Sequence, residues 1–339
     1  MDDFYEDKIL LIAGGVGSIG RELIINSLKL NPRSIRVLDN NETGLFELDQ
    51  ELNSNKLRFF IGDIRDKNRL KRAIEGADVV FNAAALKHVP LCEYNPFEAV
   101  KTNVIGTQNL IDVAMDEEID KFITISTDKS VNPHSVMGAT KLLAERLTIS
   151  ANYYKGERKT AFSCVRFGNV LGTRGSVVPL FHDQLKNEKR ITVTDPDMTR
   201  FIMSVSQAVK LVLRVARISV GGEIFILKMP ALKVYDLAEA LISQHSKKMG
   251  IDANEVSIHI IGKRPGEKLH EELMTIDESC NAYENDEYYV VLPKDYVLDD
   301  VQQDVYGNVK LAHEINYSSN IVNQLNKDEI SALIKELNL

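Results

Sequence analysis

The stretch ILLIAGGVGSIGRELI, residues 9–24, decides the fold of this chain. Apolar residues at 9–13 lead into a glycine-rich turn, and the apolar spacing after the turn is that of a helix. Glycines between a strand and a helix let the backbone approach a pyrophosphate, whose charge the free N–H groups and the helix dipole then receive. A tight turn without a ligand is the alternative interpretation. The pattern predicts a dinucleotide-binding turn made of Gly14, Gly15, Gly17, Ser18, Ile19 and Gly20.

Short apolar runs alternate with amphipathic stretches through the first half of the chain. The stretches, such as IGRELIINSLKL, have apolar residues every three to four positions. Strands that alternate with helices form a parallel sheet with helices on both faces. The sequence therefore predicts an α/β protein with a Rossmann-type doubly wound parallel sheet. Its strands are expected within residues 9–15, 34–39, 57–63, 78–85, 121–127 and 160–170.

The second strand ends in Asp39, 22 residues after Gly17. A carboxylate at this place hydrogen-bonds the adenosine ribose and repels a 2′-phosphate, so NAD is favoured over NADP. A helix N-cap is the alternative role for Asp39. Further cofactor contacts are expected at the ends of the next two strands, from Asp63 and Ile64 beside the adenine and from Ala83, Ala84 and Ala85 along the cofactor.

The alternation of strands and helices weakens after residue 173. Residues 175–201 predict a helix, a short strand and a loop. We therefore expect an NAD-binding Rossmann domain at residues 1–173, with residues 201–228 completing it. Residues 174–339 are expected to form mainly a smaller C-terminal substrate-binding domain and the C-terminal tail.

The composition is that of an ordinary soluble globular protein. The 339 residues are 44% hydrophobic and 27% charged, with a formal net charge of −8. No basic block offsets this charge, which argues against nucleic acid as a partner. The cysteines Cys92, Cys164 and Cys280 lie far apart, so no disulfide framework and no metal site are expected. An acidic start and the lack of an apolar run of about 18 residues predict a cytoplasmic protein without membrane insertion.

The segment ISTDKSVNPHSVMGATK, residues 125–141, has the outline of a Tyr-x-x-x-Lys pair, with Met137 at the tyrosine position. A thioether cannot titrate, and Met137 is interpreted as a packing residue that fills the space of a ring. Lys141 lies on the same helical face, where it can bind the nicotinamide ribose; a solvated helix lysine is the alternative. Asp128 and Lys129 follow a strand, at the sheet edge where doubly wound folds bind substrates.

Several motifs together make the chain similar to a known family. They resemble the UDP-N-acetylglucosamine 4,6-dehydratases of the extended short-chain dehydrogenase/reductase superfamily. That family has C5-inverting and C5-retaining members, and some of each carry methionine at the tyrosine position. The motifs run in family order between about residues 8 and 275 and are GGVGSIG, AAALKHVPLCEYNPFEAVKTNVIGTQN, STDKSVNPHSVMGATK, VRFGNVLGTRGSVVPLF, MTRF and KRPGEKLHEEL.

This resemblance implies a closed redox cycle on UDP-N-acetylglucosamine. NAD takes a hydride from C4, water leaves across C5 and C6, and the hydride returns at C6. Lys129 is implied as the base at C5 and Asp128 as the acid at C6. The acceptor of the C4 hydroxyl proton stays open, because Thr127 can orient that hydroxyl while either Asp128 or a water next to Lys141 takes the proton.

The same motifs imply substrate contacts. A guanidinium suits a diphosphate because it offers two parallel N–H donors. Each arginine alone can equally be a surface ion-pair partner. The expected contacts are Lys87 near the sugar, Asn169, Ser176 and Val177 around the diphosphate, and Arg200, Arg264 and Glu267 toward the phosphate or uridine.

Two other functions are compatible with this sequence. A nucleotide-sugar 4-epimerase also needs NAD but needs no acid for a C6 hydroxyl. A non-catalytic NAD or nucleotide-sugar sensor would explain the missing tyrosine, although such a protein would give Asp128 and Lys129 no role. Within the dehydratase interpretation, inversion at C5 is favoured over retention. The family resemblance also implies a homo-oligomer.

Overall fold

The computed structural model describes residues 3–173, 175–294, 296, 298 and 300–336. Parts of the two predicted domains lie outside this description, namely residues 1, 2, 174, 295, 297, 299 and 337–339. The strands are β1 (Ile9–Ala13), β2 (Ser34–Asp39), β3 (Leu57–Ile61), β4 (Val79–Asn82), β5 (Lys121–Ile125), β6 (Ala161–Arg166), β7 (Asn169–Val170), β8 (Arg190–Val193), β9 (Thr199–Met203), β10 (Ile224–Leu227), β11 (Ala231–Lys233), β12 (Ser257–Ile260), β13 (Glu272–Met274), β14 (Ala282–Glu284), β15 (Tyr288–Val291), β16 (Lys310–Leu311) and β17 (Tyr317–Ser318).

The helices alternate with the strands through the first half of the chain, as the apolar spacing predicts. The α-helices are α1 (Ser18–Leu28), α2 (Glu42–Leu52), α3 (Lys67–Ile74), α4 (Val89–Tyr94), α5 (Pro96–Ala99), α6 (Thr107–Asp116), α7 (Val136–Tyr154), α8 (Val177–Glu188), α9 (Val205–Ile218), α10 (Val234–Met249), α11 (Ile276–Ser279), α12 (Asp300–Val305) and α13 (Lys327–Glu336). A π-helix, Val100–Gly106, leads into α6, and 3₁₀ turns occupy Asp128–Ser130 and Ala253–Glu255.

One large sheet carries the fold. Among the described residues it has ten strands, in the order β16-β14-β15-β10-β6-β5-β4-β1-β2-β3. The strands from β10 to β3 are parallel, whereas β15, β14 and β16 add antiparallel strands at one edge. The strand order reverses between β1 and β4, which opens a crevice at their carboxyl ends. The predicted Rossmann-type doubly wound sheet is confirmed.

The central strand β1 shows why the apolar runs are continuous. Leu10 and Ile12 belong to the hydrophobic cluster on the side of α1 and α9, while Leu11 and Ala13 belong to the cluster on the side of α3 and α6. All four side chains are fully buried. Because helices cover both faces of a parallel sheet, successive residues must all be apolar rather than alternate with polar ones.

The large sheet does not break at residue 173. Strand β10, within the stretch 201–228, pairs with β6, and the buried residues of β15 then pair with β10. Strands from the C-terminal part of the chain thus belong to the same sheet as the strands of the predicted first domain. The division into an NAD-binding and a substrate-binding domain stays a prediction.

A second, three-stranded sheet of order β11-β9-β7 lies after the main run of strands. The predicted run 160–170 splits between the two sheets, since β6 stays in the large one while β7 pairs with β9. A Cβ at Gly168 would lie 2.4 Å from the Cβ of Phe201, so glycine permits this close crossing. The predicted loop at MTRF is wrong: those residues lie in or beside β9, which is held by partners distant in sequence.

Candidate active site

The turn between β1 and α1 forms a cradle for an anion. Gly14 has φ +80°, and a Cβ there would lie 2.6 Å from the backbone N of Ala84, so the chain needs glycine at this position. Helix α1 begins after Gly17, and no side chain caps its first N–H groups. Residues 17–20 line a cavity, so the uncapped helix start opens on free space. The turn therefore fits the pyrophosphate of a dinucleotide.

The carboxylate of Asp39 ties this turn to the end of β2. Its Oδ2 accepts a hydrogen bond from the Val16 N–H at 3.0 Å, and its Oδ1 accepts one from the Asn41 N–H at 3.0 Å. The N-cap of α2 is Asn41, whose side chain accepts from the Gly44 N–H at 3.0 Å. Asp39 is therefore not the cap of this helix, and its carboxylate lies beside the glycine turn.

Asp63 and Ile64, which are expected beside the adenine, have different surroundings. Asp63 accepts hydrogen bonds from Nε of Arg65 at 3.0 Å and from Nη2 at 2.7 Å, and these bonds lower the pKa of Asp63. Ile64 is buried against the helices of the sheet. Of the three alanines after β4, Ala83 and Ala85 line the cavity, whereas Ala84 lies behind Gly14.

The cavity measures about 680 Å³ and lies at the carboxyl ends of the parallel strands. An adjoining cavity of about 260 Å³ shares part of its wall and includes Val177. Gly14, Gly15, Asp39, Asp63, Ile64, Ala84 and Asp128 are not among the lining residues of either cavity. The predicted residues brought together around the larger cavity are Gly17, Ser18, Ile19, Gly20, Ala83, Ala85, Lys87, Thr127, Lys129, Met137, Lys141, Asn169, Ser176, Arg200, Arg264 and Glu267.

Asp128 lies just behind the cavity wall, in the turn that follows β5. Its side chain is fully buried. Oδ1 accepts hydrogen bonds from Nζ of Lys129 at 2.9 Å and from the Thr127 hydroxyl at 2.7 Å, while Oδ2 has no partner among the described residues. Thr127 and Lys129 line the cavity, whereas Asp128 between them in sequence does not.

A second carboxylate, which the sequence patterns did not reveal, approaches Lys129 from a distant part of the chain. Oε1 of Glu271 lies 3.6 Å from Nζ of Lys129, and Glu271 lines the cavity while being 3% exposed. Burial lowers the pKa of Lys129, but the charges of Asp128 and Glu271 outweigh burial, so this pKa lies above its ordinary value. Glu271 belongs to the motif KRPGEKLHEEL, but nothing in the sequence tells which of its two adjacent glutamates faces the site.

Met137 and Lys141 lie one turn apart on α7, and both line the cavity. Met137 is buried in a small cluster with Cys92 and Ala99. Lys141 is 7% exposed, and its ammonium donates a hydrogen bond to the carbonyl of Ile125. Burial lowers the pKa of Lys141 to about 8. Lys141 is therefore not a solvated helix lysine.

Arg200 holds the segment 264–271 over the cavity. Its guanidinium donates to the carbonyls of Leu269 at 3.1 Å and Lys268 at 3.0 Å. It also lies 3.6 Å from Glu267 and 3.7 Å from Glu271, and it is 12% exposed. Arg200 is thus no surface ion-pair partner. Arg264 differs, because it is exposed at the rim that both cavities share.

Asn103 is a second residue that the sequence analysis missed. It is buried in the π-helix, where its Oδ1 accepts from the Leu86 N–H at 2.8 Å and its Nδ2 donates to the Leu86 carbonyl at 3.0 Å. The same Nδ2 reaches Oγ1 of Thr140 on α7 at 3.0 Å. Asn103 therefore fixes the loop that precedes Lys87 against α7. A π-helix leaves no signal in the apolar spacing, so the sequence alone does not reveal this contact.

Within the described ranges, no group of three or more His, Cys, Asp or Glu side chains is placed to hold a metal ion. His270 instead contacts Oγ1 of Thr199 through Nδ1 at 2.8 Å.

No helix in the described part of the chain is long and apolar enough to span a membrane.

The parallel sheet, the glycine turn and the helix that carries Met137 and Lys141 define a protein of the extended short-chain dehydrogenase/reductase class. The model of the family described as "Polysaccharide biosynthesis protein" matches residues 10–293. The chain belongs to this family, and the resemblance found in the sequence is confirmed.

Relatives that match most or nearly all of the chain have different names. An uncharacterized membrane protein of Methanocaldococcus jannaschii is 61% identical over 337 residues, covering 99% of this chain and 98% of the relative. A UDP-N-acetylglucosamine 4,6-dehydratase (inverting) of Campylobacter jejuni is 42% identical, covering 87% and 86%. A UDP-glucose 4-epimerase of Rickettsia bellii is 38% identical, covering 98% and 97%.

Among solved structures, Pen from Bacillus thuringiensis superimposes with a TM-score of 0.92. It is 42% identical in sequence, and the match covers 99% of each chain. The likeness therefore includes the C-terminal tail as well as the doubly wound sheet.

Proposed function

We propose that this protein is a UDP-N-acetylglucosamine 4,6-dehydratase that uses NAD and inverts C5. The observation that carries the proposal is the pair Asp128 and Lys129, an acid and a base joined by a 2.9 Å hydrogen bond at the edge of the cavity. Elimination of water needs both kinds of group at neighbouring carbons. The name of the Campylobacter jejuni relative supports the substrate and the inversion.

The glycine turn, Asp39 and the alanine wall would hold NAD. Ser18 and Ile19 offer uncapped N–H groups to the pyrophosphate, and the carboxylate of Asp39 suits ribose hydroxyls better than a 2′-phosphate. When bound, this cofactor supplies reversible acceptance of a hydride from C4 and its delivery to C6. Lys141 and Met137 line the same cavity as the turn and would face the nicotinamide end.

The nucleotide end of the substrate would occupy the smaller cavity. Apolar side chains such as Leu180, Phe181 and Leu232 line it, which suits a uracil ring. At the junction of the cavities, Ser176 precedes α8 with a buried hydroxyl that has no partner among the described residues. This helix start and the exposed guanidinium of Arg264 together suit a diphosphate.

Lys141 accepts the proton of the C4 hydroxyl in this proposal. Met137 cannot accept it, and Asp128 is fully buried and does not line the cavity. Lys141 lines the cavity one helical turn from Met137, and burial lowers its pKa to about 8, so a substantial neutral fraction exists near neutral pH. A lysine of ordinary pKa would be almost entirely protonated there.

One proton shift prepares the elimination. Moving a proton from Nζ of Lys129 to Oδ1 of Asp128 produces a neutral amine and a carboxylic acid together. The amine then takes the C5 proton. Because Asp128 does not line the cavity, its proton reaches the C6 oxygen through the Thr127 hydroxyl, which lies 2.7 Å from Oδ1 and does line the cavity. This hydroxyl turns from donating to Oδ1 to accepting the Oδ1 proton, and it passes its own proton to the C6 oxygen. The C6 hydroxyl leaves as water.

The test is the incubation of purified protein with NAD and UDP-N-acetylglucosamine. We expect a product lighter by one water, about 18 Da, and proton NMR in deuterated water should show inversion with deuterium at C5. The Asp128→Asn variant should bind both ligands but form no such product. A product of unchanged mass from the unmodified protein would contradict the proposal.

A 4-epimerase is the second candidate. It is favoured by the Rickettsia bellii relative, which matches nearly the whole chain. Epimerisation conserves mass and exchanges no C5 proton, so the same incubation separates the two activities. In that case Asp128→Asn should leave hydride transfer and the product intact.

A further inference from the structure

Lys129 lies between two buried carboxylates that come from distant parts of the chain. Nζ is 2.9 Å from Oδ1 of Asp128 and 3.6 Å from Oε1 of Glu271. Arg200 approaches the same Oε1 with its Nε at 3.7 Å. These four groups form an alternating row of negative and positive charges beside the cavity, of which only Asp128 and Lys129 have a part in the proposed elimination.

We propose that Glu271 is a positioning residue, the counter-ion that stays with Lys129 while Asp128 carries the proton for the C6 oxygen. This inference rests on the proposed dehydratase activity and adds a residue to it. Glu271 acts through Lys129 and does not itself exchange a proton with the sugar.

The balance of charges through the step explains the need for a second carboxylate. When the C5–H bond breaks, its proton binds Nζ, and the electron pair is delocalised toward the C4 carbonyl. Asp128 is still protonated at this moment, so it cannot offset the new ammonium charge. The electron pair then forms the C5–C6 double bond, the C6–O bond breaks, and the proton from Asp128 completes the water. Until that proton leaves Asp128, the carboxylate that faces the Lys129 ammonium, among the described residues, is Glu271.

The fold holds Glu271 in place from the C-terminal tail. The Glu271 N–H donates to the Ser319 hydroxyl at 2.9 Å, and the Glu271 carbonyl accepts from the Ser319 N–H at 2.8 Å. Ser319 is fully buried and also contacts Oγ1 of Thr199 at 2.7 Å. The carboxylate keeps Oε2 buried and without a hydrogen-bond partner among the described residues. The backbone of Glu271 is held in place, while one carboxylate oxygen makes no hydrogen bond. The carboxylate can therefore interact more strongly with Lys129 when Lys129 gains a proton.

The charged groups that face Lys129 are Asp128 on its own turn, Glu271 before β13 and Arg200 on β9. Arg200 opposes protonation of Lys129, whereas the two carboxylates favour it. Neutralising Glu271 therefore lowers the proton affinity of the amine. Once Lys129 is neutral, a fall in its pKa of about one unit makes capture of the C5 proton up to about tenfold less favourable, while the same fall lets the amine become neutral at lower pH.

The experiment compares the full chain with its Glu271→Gln variant in single turnovers with NAD and UDP-N-acetylglucosamine. Absorbance at the reduced-nicotinamide band follows C4 oxidation, and deuterium uptake at C5 follows the next step. We expect oxidation to change little; on the high-pH plateau, where the amine is already neutral, C5 exchange should slow up to about tenfold and the reduced cofactor should accumulate. The pH profile of C5 exchange should also shift to lower pH. Glu271→Asp should restore much of the exchange rate because it keeps the charge.

Glu272→Gln is the matched control. Its carboxylate bonds Asn132 and Asn316, both at 2.8 Å, and pairs with Lys268 at 3.7 Å rather than with Lys129, so C5 exchange and its pH profile should not change. The inference fails if Glu271→Gln slows both steps equally, or if its pH profile coincides with that of the unmodified protein. The proposed dehydratase activity fails separately, if the unmodified protein makes no dehydrated product.

Discussion

The amine of Lys129 and the carboxylate of Asp128 share one hydrogen bond of 2.9 Å, although only Lys129 lines the cavity. In the proposed mechanism, a base that lines the cavity is therefore coupled to an acid that does not. The proposal makes the Thr127 hydroxyl, which lines the cavity and bonds the same oxygen of Asp128, the route for the acid's proton.

Replacing Thr127 with valine tests this route. Valine keeps the shape of threonine but has no hydroxyl, so dehydration should fall about 100-fold or more, the usual effect of losing acid catalysis. Thr127→Ser keeps the hydroxyl and should stay within a few-fold of the unmodified protein. Product formation is measured by mass spectrometry, and thermal unfolding of both variants checks that the fold is intact. Full activity of Thr127→Val would rule out the relay.

The rate of C4 oxidation should depend on pH through Lys141. The neutral amine accepts the proton, and because burial lowers the pKa of Lys141 to about 8, the rate should rise with pH through about 8 and then level off. Stopped-flow absorbance of the reduced nicotinamide measures it. Lys141→Arg holds its proton throughout this range and should be slow at every pH. A rate independent of pH between 6 and 9 would exclude Lys141 as the acceptor.

Asp39 should determine the choice between NAD and NADP. Asp39→Ala removes the carboxylate that would bind the ribose and frees the Val16 N–H that it now holds, so NAD binding should weaken about tenfold or more. NADP binding should weaken less, or improve, because the repulsion of the 2′-phosphate is gone. Calorimetric titration with each cofactor measures this. Asn40→Ala, next along the chain, is the control and should keep the preference for NAD.

The stability of the catalytic turn should depend on Arg166. Its guanidinium, 1% exposed, pairs with the buried Glu145 and with Glu278, and Glu145 also accepts from Ser130 in the turn of Asp128. Arg166→Ala leaves Glu145 buried without its partner and should cost about 3–5 kcal/mol of unfolding free energy. Arg21→Ala breaks an exposed pair with Glu51 and should cost about 0–1 kcal/mol. Chemical denaturation of the two variants gives the comparison.

Local patterns were sufficient for the first half of the fold and for the cofactor turn. The continuous apolar run of β1 and the glycines after it predicted a buried parallel strand and a helix start, and the structure has both. The strand at MTRF was missed because β9 is held by pairing with β7 and β11, and no local sequence pattern predicts this pairing. The roles of the site residues and the association into a homo-oligomer stay predictions.

Residue types a few positions apart were enough to predict the doubly wound sheet, the glycine turn and the replacement of an ionisable tyrosine by Met137. The contact of Glu271 with Lys129, the full burial of Asp128 and the support of Glu271 by Ser319 of the tail become visible only in the folded chain. Lys129 and Glu271 lie 142 positions apart in the sequence. Their approach depends on how separate sheets pack, and the packing also sets the burial that shifts the pKa of Lys141, so neither can be derived from local patterns.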